Sequence, residues 1–409
     1  MKLLVYSHDA FGLGNLRRML AVCEHLIETI PQISILFISG SPVIHSFRLP
    51  QGLDYIKLPC LGRDRDGNLA AKFLGTSIDE TVKLRSQLIH MAAVNFQPDL
   101  FLVDKKPYGL KNELKPTLNH LKAFLPKTKI ILMLRDILDA PEKTISDWKQ
   151  YGYYVALELF YDRILAVGSP EVFDLVREYQ FSPSITRKVC FCGYIRKKNG
   201  RTSRQAMRQQ LNIKPEEKLV LVTPGGGEDG ERLIDNYLSG LALLPKDRAV
   251  RSLIICGPEM PARQRQQFFA RAQNDPRIIM QEFSDDLMSE MAAADVVVSM
   301  GGYNTISEIL SLNKPAVVVP RVHPVREQLI RAQRLETLGW LKSIHPDLVT
   351  PQNLIEAVLD RLKTGNSASH PVPTTLNLEA LPCIQAEISQ LIWQRKLSEA
   401  TQTPQVLAS

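Results

Sequence analysis

Short apolar runs that alternate with longer stretches of helical period constrain this chain more than any other feature. Lys2–Tyr6, Ser34–Ile38, Leu100–Val103, Ile130–Leu134 and Arg163–Val167 read as buried strands, with helix-like segments at Asn15–Thr29 and Ile78–Asn95 between them. The rhythm restarts with Leu219–Thr223, Leu253–Cys256, Ile278–Met280, Val296–Ser299 and Ala316–Val319. Strands that lie parallel need a crossover of a dozen or more residues, usually a helix, to reach the next strand. The pattern therefore predicts an α/β chain of two Rossmann-like, doubly wound domains in tandem. A basic, Gly-containing stretch at Cys192–Gly200 marks the boundary. The expected division is a first domain at 1–195, a second at 196–375, and at 376–409 a C-terminal helix, Ile384–Leu397, with a tail able to cross back to the first domain.

Composition narrows the class. With 409 residues, 44% hydrophobic and 23% charged, the chain is neither disordered nor collagen-like. Six scattered cysteines make no disulfide framework, and Cys190-Phe-Cys192 lacks the two-residue spacer of a zinc knuckle or redox pair. A cytoplasmic location is expected, since the N-terminus meets a charge too early for a signal peptide and no run reaches the ~18–20 apolar residues of a membrane span. The net charge of +7 lies wholly in residues 1–200, which hold 27 Lys and Arg against 20 Asp and Glu; the remainder holds 23 of each.

Ligands of open α/β sheets bind beyond the C-terminal ends of the strands. After the first strand comes Ser7-His-Asp-Ala-Phe-Gly-Leu-Gly-Asn15, whose Gly12 and Gly14 permit a tight turn into a helix N-terminus suited to an anion. Its spacing is not that of a dinucleotide fingerprint. After the first strand of the second half comes Thr223-Pro-Gly-Gly-Gly-Glu-Asp-Gly230, without the Lys-Ser/Thr of a P-loop. The most informative run extends from Asp295 through Ser299-Met-Gly-Gly-Tyr-Asn-Thr-Ile-Ser-Glu308 to His323-Pro-Val-Arg-Glu-Gln328. There a Gly-Gly turn leads into a helix opened by Asn304 or Thr305, whose free amides suit a diphosphate and whose Glu308 can accept ribose hydroxyls.

These residues resemble the donor site of GT-B nucleotide-sugar glycosyltransferases, in particular the family of the MurG-type N-acetylglucosaminyltransferase and the monogalactosyldiacylglycerol synthases, a resemblance that implies a GT-B fold with the two domains facing across a cleft. Phe283-Ser-Asp-Asp286 resembles that family's loop beside the nucleobase. Phe-Gly-Leu-Gly, Pro98–Pro107 and Leu134–Asp139 extend the likeness to a bacterial group of glycosyltransferases predicted as such from sequence. The resemblance implies that Phe283 lies near the base, that Gly301, Gly302, Asn304 and Thr305 face the diphosphate, and that Gly225 and Gly226 face it from across the cleft. It gives Glu308 the ribose and Glu327 and Gln328 the donor sugar. The implied activity is inverting, metal-independent transfer of a hexose or N-acetylhexosamine from a nucleoside-diphosphate sugar, UDP-linked in the leading reading, to a lipid, glycan or small-molecule hydroxyl. No cofactor is needed beyond this co-substrate, and Asp64-Arg-Asp66 is a chance match to a metal motif.

One position departs from the pattern. Relatives carry His after the second glycine of the first loop, and here that residue is Asn15, which cannot act as a base. His8, Asp9 and Asp104 are the candidates in its place, with Asp104 able to orient His8; Arg135 and Asp136 end a strand on the same rim. A nucleotide-sugar hydrolase or epimerase, or a non-catalytic sugar-nucleotide-binding partner protein, are the alternatives. The lysines at 105, 106, 111, 115, 122, 127 and 129, interleaved with Phe101, Tyr108, Leu110, Leu114, Leu118, Leu121, Phe124 and Leu125, suit peripheral contact with an anionic membrane at its inner face or an ordinary solvated helix. Nucleic acid is not an expected partner, because no nucleic-acid module is present.

Overall fold

The structure, a computed structural model, describes residues 1–8, 14–64, 68–245, 249–364 and 376–402. The first sheet contains β1 (Lys2–Tyr6), β2 (Ser34–Ser39), β3 (Leu53–Lys57), β6 (Leu100–Asp104), β7 (Lys129–Arg135), β8 (Arg163–Val167) and β9 (Val189–Phe191). A small antiparallel hairpin, β4 (Leu61–Arg63) and β5 (Leu69–Ala71), stands apart. The second sheet contains β10 (Lys218–Thr223), β11 (Val250–Ile255), β12 (Ile278–Gln281), β13 (Val296–Ser299), β14 (Ala316–Val318) and β15 (Lys342–Ser343).

The strand orders are β3-β2-β1-β6-β7-β8-β9 and β12-β11-β10-β13-β14-β15. Every pairing within these two sheets is parallel. In each, the order reverses beside the first strand, β1 or β10, which puts a crevice at that strand's C-terminal end. Central strands such as Leu100–Val103 and Val296–Val298 are buried on both faces, as near-continuous apolar runs require.

The helices that matter for the site are α1 (Gly14–Thr29), α2 (Ile78–Phe96), α3 (Lys115–Phe124), α4 (Glu231–Ala242), α5 (Leu287–Ala293), α6 (Tyr303–Ser311), α7 (Glu327–Thr337) and α8 (Ala380–Gln402). α6 opens ahead of the expected Asn304 or Thr305: it begins at Tyr303, with Gly302 as its N-cap. From the second sheet the chain returns to the first. Tyr194 and Arg196 donate backbone N–H bonds to Asn377 and Leu378, Ala380 donates to Tyr194, and Arg163 of β8 pairs with Glu387 of α8 at 3.0 Å. Gly193 makes this crossing possible, since with φ +83° a Cβ there would stand 2.5 Å from the Asn377 carbonyl.

The apolar residues interleaved with the lysines do not face outward. Phe101, Tyr108, Leu110, Leu114, Leu118 and Leu121 are core, and Phe124 is the exposed one, at 73%. Lys105 leaves the surface cluster altogether and turns toward the cleft. Exposed apolar side chains gather instead on α2, where Leu84, Leu88 and Met91 share a face, and at Phe73 and Leu74 before it.

Candidate active site

On the second domain, β13 ends at Ser299 and Gly301-Gly302 turns the chain into α6. Gly301 must be glycine, because a Cβ would lie 2.9 Å from the Gln328 carbonyl in the first turn of α7. A Cβ on Gly302 would meet nothing within 4 Å, so its outer side is open. No side chain caps α6, so its first amides are available to an anion.

Across the cleft stands the N-terminus of α1. Asn304 Nδ2 donates to the Gly14 carbonyl at 3.3 Å, and Lys197 Nζ donates to Asn304 Oδ1 at 3.1 Å. Two helix N-termini from different domains thus meet at one hydrogen bond. The expected role of Asn304 changes accordingly, since its side chain joins Gly14 to the linker. Glu308, a turn further on, is half-buried; burial raises its pKa, while Lys197 and Arg17 oppose the rise. Lys197 itself is held below the ordinary lysine value by burial.

The triple glycine forms the facing wall. Gly225 has φ +86°, and a Cβ there would lie 3.6 Å from Thr305 Oγ1, so these two expected donor residues are neighbours. Gly226 lies under Glu259, whose Oε2 would be 2.7 Å from a Cβ. Gly227, with φ +96°, packs on Cys256, where a Cβ would be 2.3 Å from the carbonyl. Phe283 sits on the rim, 49% exposed, and Asp286 in the same loop accepts the Arg201 N–H at 3.1 Å.

The first domain offers the ends of three adjacent strands. His8 follows β1, Lys105 follows β6 and Arg135 closes β7. His8 is buried, its Nδ1 has no hydrogen-bond partner among the described residues, and burial together with Lys105, Lys106 and Arg135 holds its pKa well below 6.5. Lys105 has φ +68°, and burial beside Arg135 pushes its ammonium pKa down to about 8. Asp104 is fully buried, pairs with Arg18 at 2.6 Å and accepts the His8 backbone N–H at 3.2 Å. It holds the His8 main chain rather than the ring, which corrects its expected role as orienter of the imidazole. Asn15 is also a framework residue: its amide donates to the His8 carbonyl and accepts from Arg18 at 3.3 Å. Asp9 and Gly12 lie outside the described residues.

Pairings that the sequence does not reveal join the two sides. Arg135 reaches both oxygens of Glu327, Oε2 at 2.7 Å and Oε1 at 3.2 Å, so the carboxylate expected on the donor sugar is committed to the first domain. Burial alone would raise its pKa; Arg135, Arg331 and Lys105 outweigh that and lower it. Gln328 is buried and accepts the Arg321 N–H at 3.1 Å. Arg331 forks onto Asp136 at 2.6 and 2.7 Å, donates to the Gly301 carbonyl at 2.7 Å, and lies over the Tyr303 ring at 5.7 Å. Arg18 lies over the same ring at 5.9 Å.

Residues 219–377 match the model of the glycosyltransferase family 28 C-terminal domain. An uncharacterized glycosyltransferase from Methanopyrus kandleri is 29% identical over 43% of this chain and 48% of its own length. The UDP-N-acetylglucosamine–N-acetylmuramyl-(pentapeptide) pyrophosphoryl-undecaprenol N-acetylglucosamine transferase of Cronobacter sakazakii is 32% identical over 39% of this chain and 43% of its own. The protein of that name from Bacteroides thetaiotaomicron is 25% identical over 75% of both. The chain therefore spans about half the length of two curated relatives and three quarters of a third. Among solved structures, Acinetobacter baumannii MurG superimposes with a TM-score of 0.59 at 15% identity, covering 96% of this chain and 99% of that one. The UDP-GlcNAc 2-epimerase of Methanocaldococcus jannaschii does so with 0.60 at 12%, covering 95% and 100%.

Proposed function

We propose that this chain, whose residues 219–377 match the family 28 C-terminal domain and whose fold is that of GT-B glycosyltransferases, is a MurG-type enzyme that moves a sugar from a nucleoside diphosphate, UDP in the first instance, to an acceptor hydroxyl held by the first domain. The observation that carries the reading is the meeting of α1 and α6 at Gly14 and Asn304, with Lys197 and Arg17 beside Glu308. Helix N-termini and fixed cations stabilise charge that develops on a departing diphosphate, which lets this site work without a metal ion. Thr305 and Gly225 flank the diphosphate, Glu308 accepts ribose hydroxyls, and Phe283 borders the base. Gln328 serves the donor sugar, and Glu327 accepts a sugar hydroxyl through the lone pairs that its two bonds to Arg135 leave free.

His8 is the base in this scheme. A depressed pKa keeps the imidazole neutral, with Nδ1 able to accept a proton, and the attacking hydroxyl enters from the first domain opposite the leaving group, which gives inversion. Lys105 and Arg135 form a cationic rim where an acceptor bearing phosphate would seat. A lipid acceptor is consistent with the names of the curated relatives. It is consistent as well with the exposed apolar face of α2, through which the protein would rest on an anionic membrane. No helix among the described residues is long and apolar enough to cross one.

The epimerase reading shares the fold, and the family 28 match favours transfer over it. The deciding experiment supplies UDP-sugars with and without polyprenyl-phosphate and glycan acceptors, and follows products by mass spectrometry. Acceptor-dependent release of UDP with a glycosylated product supports the proposal. Free sugar or an epimerised donor, formed at the same rate without acceptor, defeats it.

A further inference from the structure

Away from the cleft, three cysteines distant in sequence converge where α8 returns to the first sheet. Cys190 lies on the edge strand β9, and Cys192 follows two residues later, the spacing at which an extended chain repeats one face. Cys383 comes from the first turn of α8. Cys190 and Cys383 place their sulfurs 3.8 Å apart, and the three sulfurs lie within 4.8 Å of one another. Cys192 is buried and the other two are half-buried, so the group is enclosed yet reachable.

This spacing has a chemical meaning. All three thiols are free, and 3.8 Å is far beyond the ~2.05 Å of a disulfide. A tetrahedral ion with metal–sulfur bonds of about 2.3 Å sets its sulfurs about 3.8 Å apart. Glu387 stands one helical turn beyond Cys383 and pairs with Arg163 at 3.0 Å, outside the set of atoms that lie within 4.8 Å of one another, so its carboxylate would have to swing toward the sulfurs to supply an oxygen donor.

We propose that Cys190, Cys192 and Cys383, with Glu387 as the fourth donor, form a structural site for a thiophilic divalent cation of the Zn2+ kind. The ion pins α8 to the edge strand of the first domain. Binding forms three metal–sulfur bonds and one metal–oxygen bond as three S–H bonds break, three protons pass to solvent and the ion sheds its water ligands; no electron moves. Arg163 offsets the negative charge of the filled site. Cys190-Phe-Cys192 is thus half of a site whose other half lies about two hundred residues away in sequence.

The probe is Co2+, added to the full-length, reduced, chelator-treated protein. The expected result is one ion per chain, with thiolate-to-cobalt charge transfer and the visible bands of a tetrahedral site, both lost on adding Zn2+. Affinity should rise with pH, because protons are released. Cys383→Ser should weaken binding about 10-fold or more, and Cys60→Ser, outside the cluster, should leave it unchanged. Should Cys383→Ser disturb folding, Glu387→Gln keeps all three thiols and should shift the visible bands. Absence of charge transfer in folded, reduced protein overturns the proposal. So does undiminished binding by folded Cys383→Ser, unshifted bands in Glu387→Gln, or a Cys190–Cys383 disulfide trapped by alkylation in intact cells.

Discussion

His8 and Glu308 carry the two sharpest expectations at the scale of single residues. If His8 is the base, turnover rests on its neutral form, and the acid limb of the rate profile should have its midpoint below 6.5, because burial and the neighbouring cations depress its pKa. His8→Gln should abolish that limb and cost about 10²–10⁴ in turnover. The same shift acts on stability: below pH 6.5 the unfolded chain binds a proton that the folded chain refuses, so stability falls as pH falls toward the depressed value. A pH series of urea midpoints for wild type and His8→Gln isolates that contribution. Glu308→Ala should weaken UDP, read by calorimetry, by about 1.5–3 kcal/mol if its carboxylate accepts ribose hydroxyls. Unchanged affinity would remove Glu308 from the ribose.

Elements were legible in the sequence to the degree that burial made them uniform. Leu100–Asp104 and Val296–Ser299, buried on both faces, announce themselves as apolar runs. Leu53–Lys57, an edge strand with half-buried and exposed positions, carries no such signal, nor does three-residue Val189–Phe191. The Gly301-Gly302 turn was readable because its glycines are local. Arg331, Lys197 and Cys383 were not, because each acquires meaning only from a partner across the fold. Arg331 sits in an unremarkable helical stretch, and its partner Asp136 is 195 positions away. Arg331→Met leaves Asp136 buried without a counter-charge, at a cost of about 3–5 kcal/mol. The double variant with Asp136→Leu should recover much of the loss in urea midpoint. Gly227→Ala should also destabilise, because its φ of +96° and the Cys256 carbonyl leave no place for a methyl group.

For the whole molecule, the charge excess of residues 1–200 resolves into two populations. Lys105 and Arg135 face the cleft, whereas Lys115 and Lys127 remain on the surface. Vesicles with anionic lipid should therefore bind the protein in a salt-sensitive way, as screening over about 8–10 Å weakens surface attraction. Replacing Leu84, Leu88 and Met91 by Ser should reduce vesicle binding while leaving UDP affinity unchanged. Equal binding to neutral and anionic vesicles at all salt concentrations would remove the electrostatic component.

The contact between Asn304 and Gly14 also bears on how the two halves move. The like ends of two helix dipoles, one from each domain, approach there with Arg17 and Lys197 alongside, an arrangement that on its own pushes the domains apart. An anion reaching both ends acts as mortar between them, so its binding energy and the energy of closure belong to one linked equilibrium. If a nucleotide is that anion, it should favour closure, and closure should raise its affinity by the same factor. On the proposed function, loss of that anion should weaken the joint, so product departure and reopening would follow from a single electrostatic change.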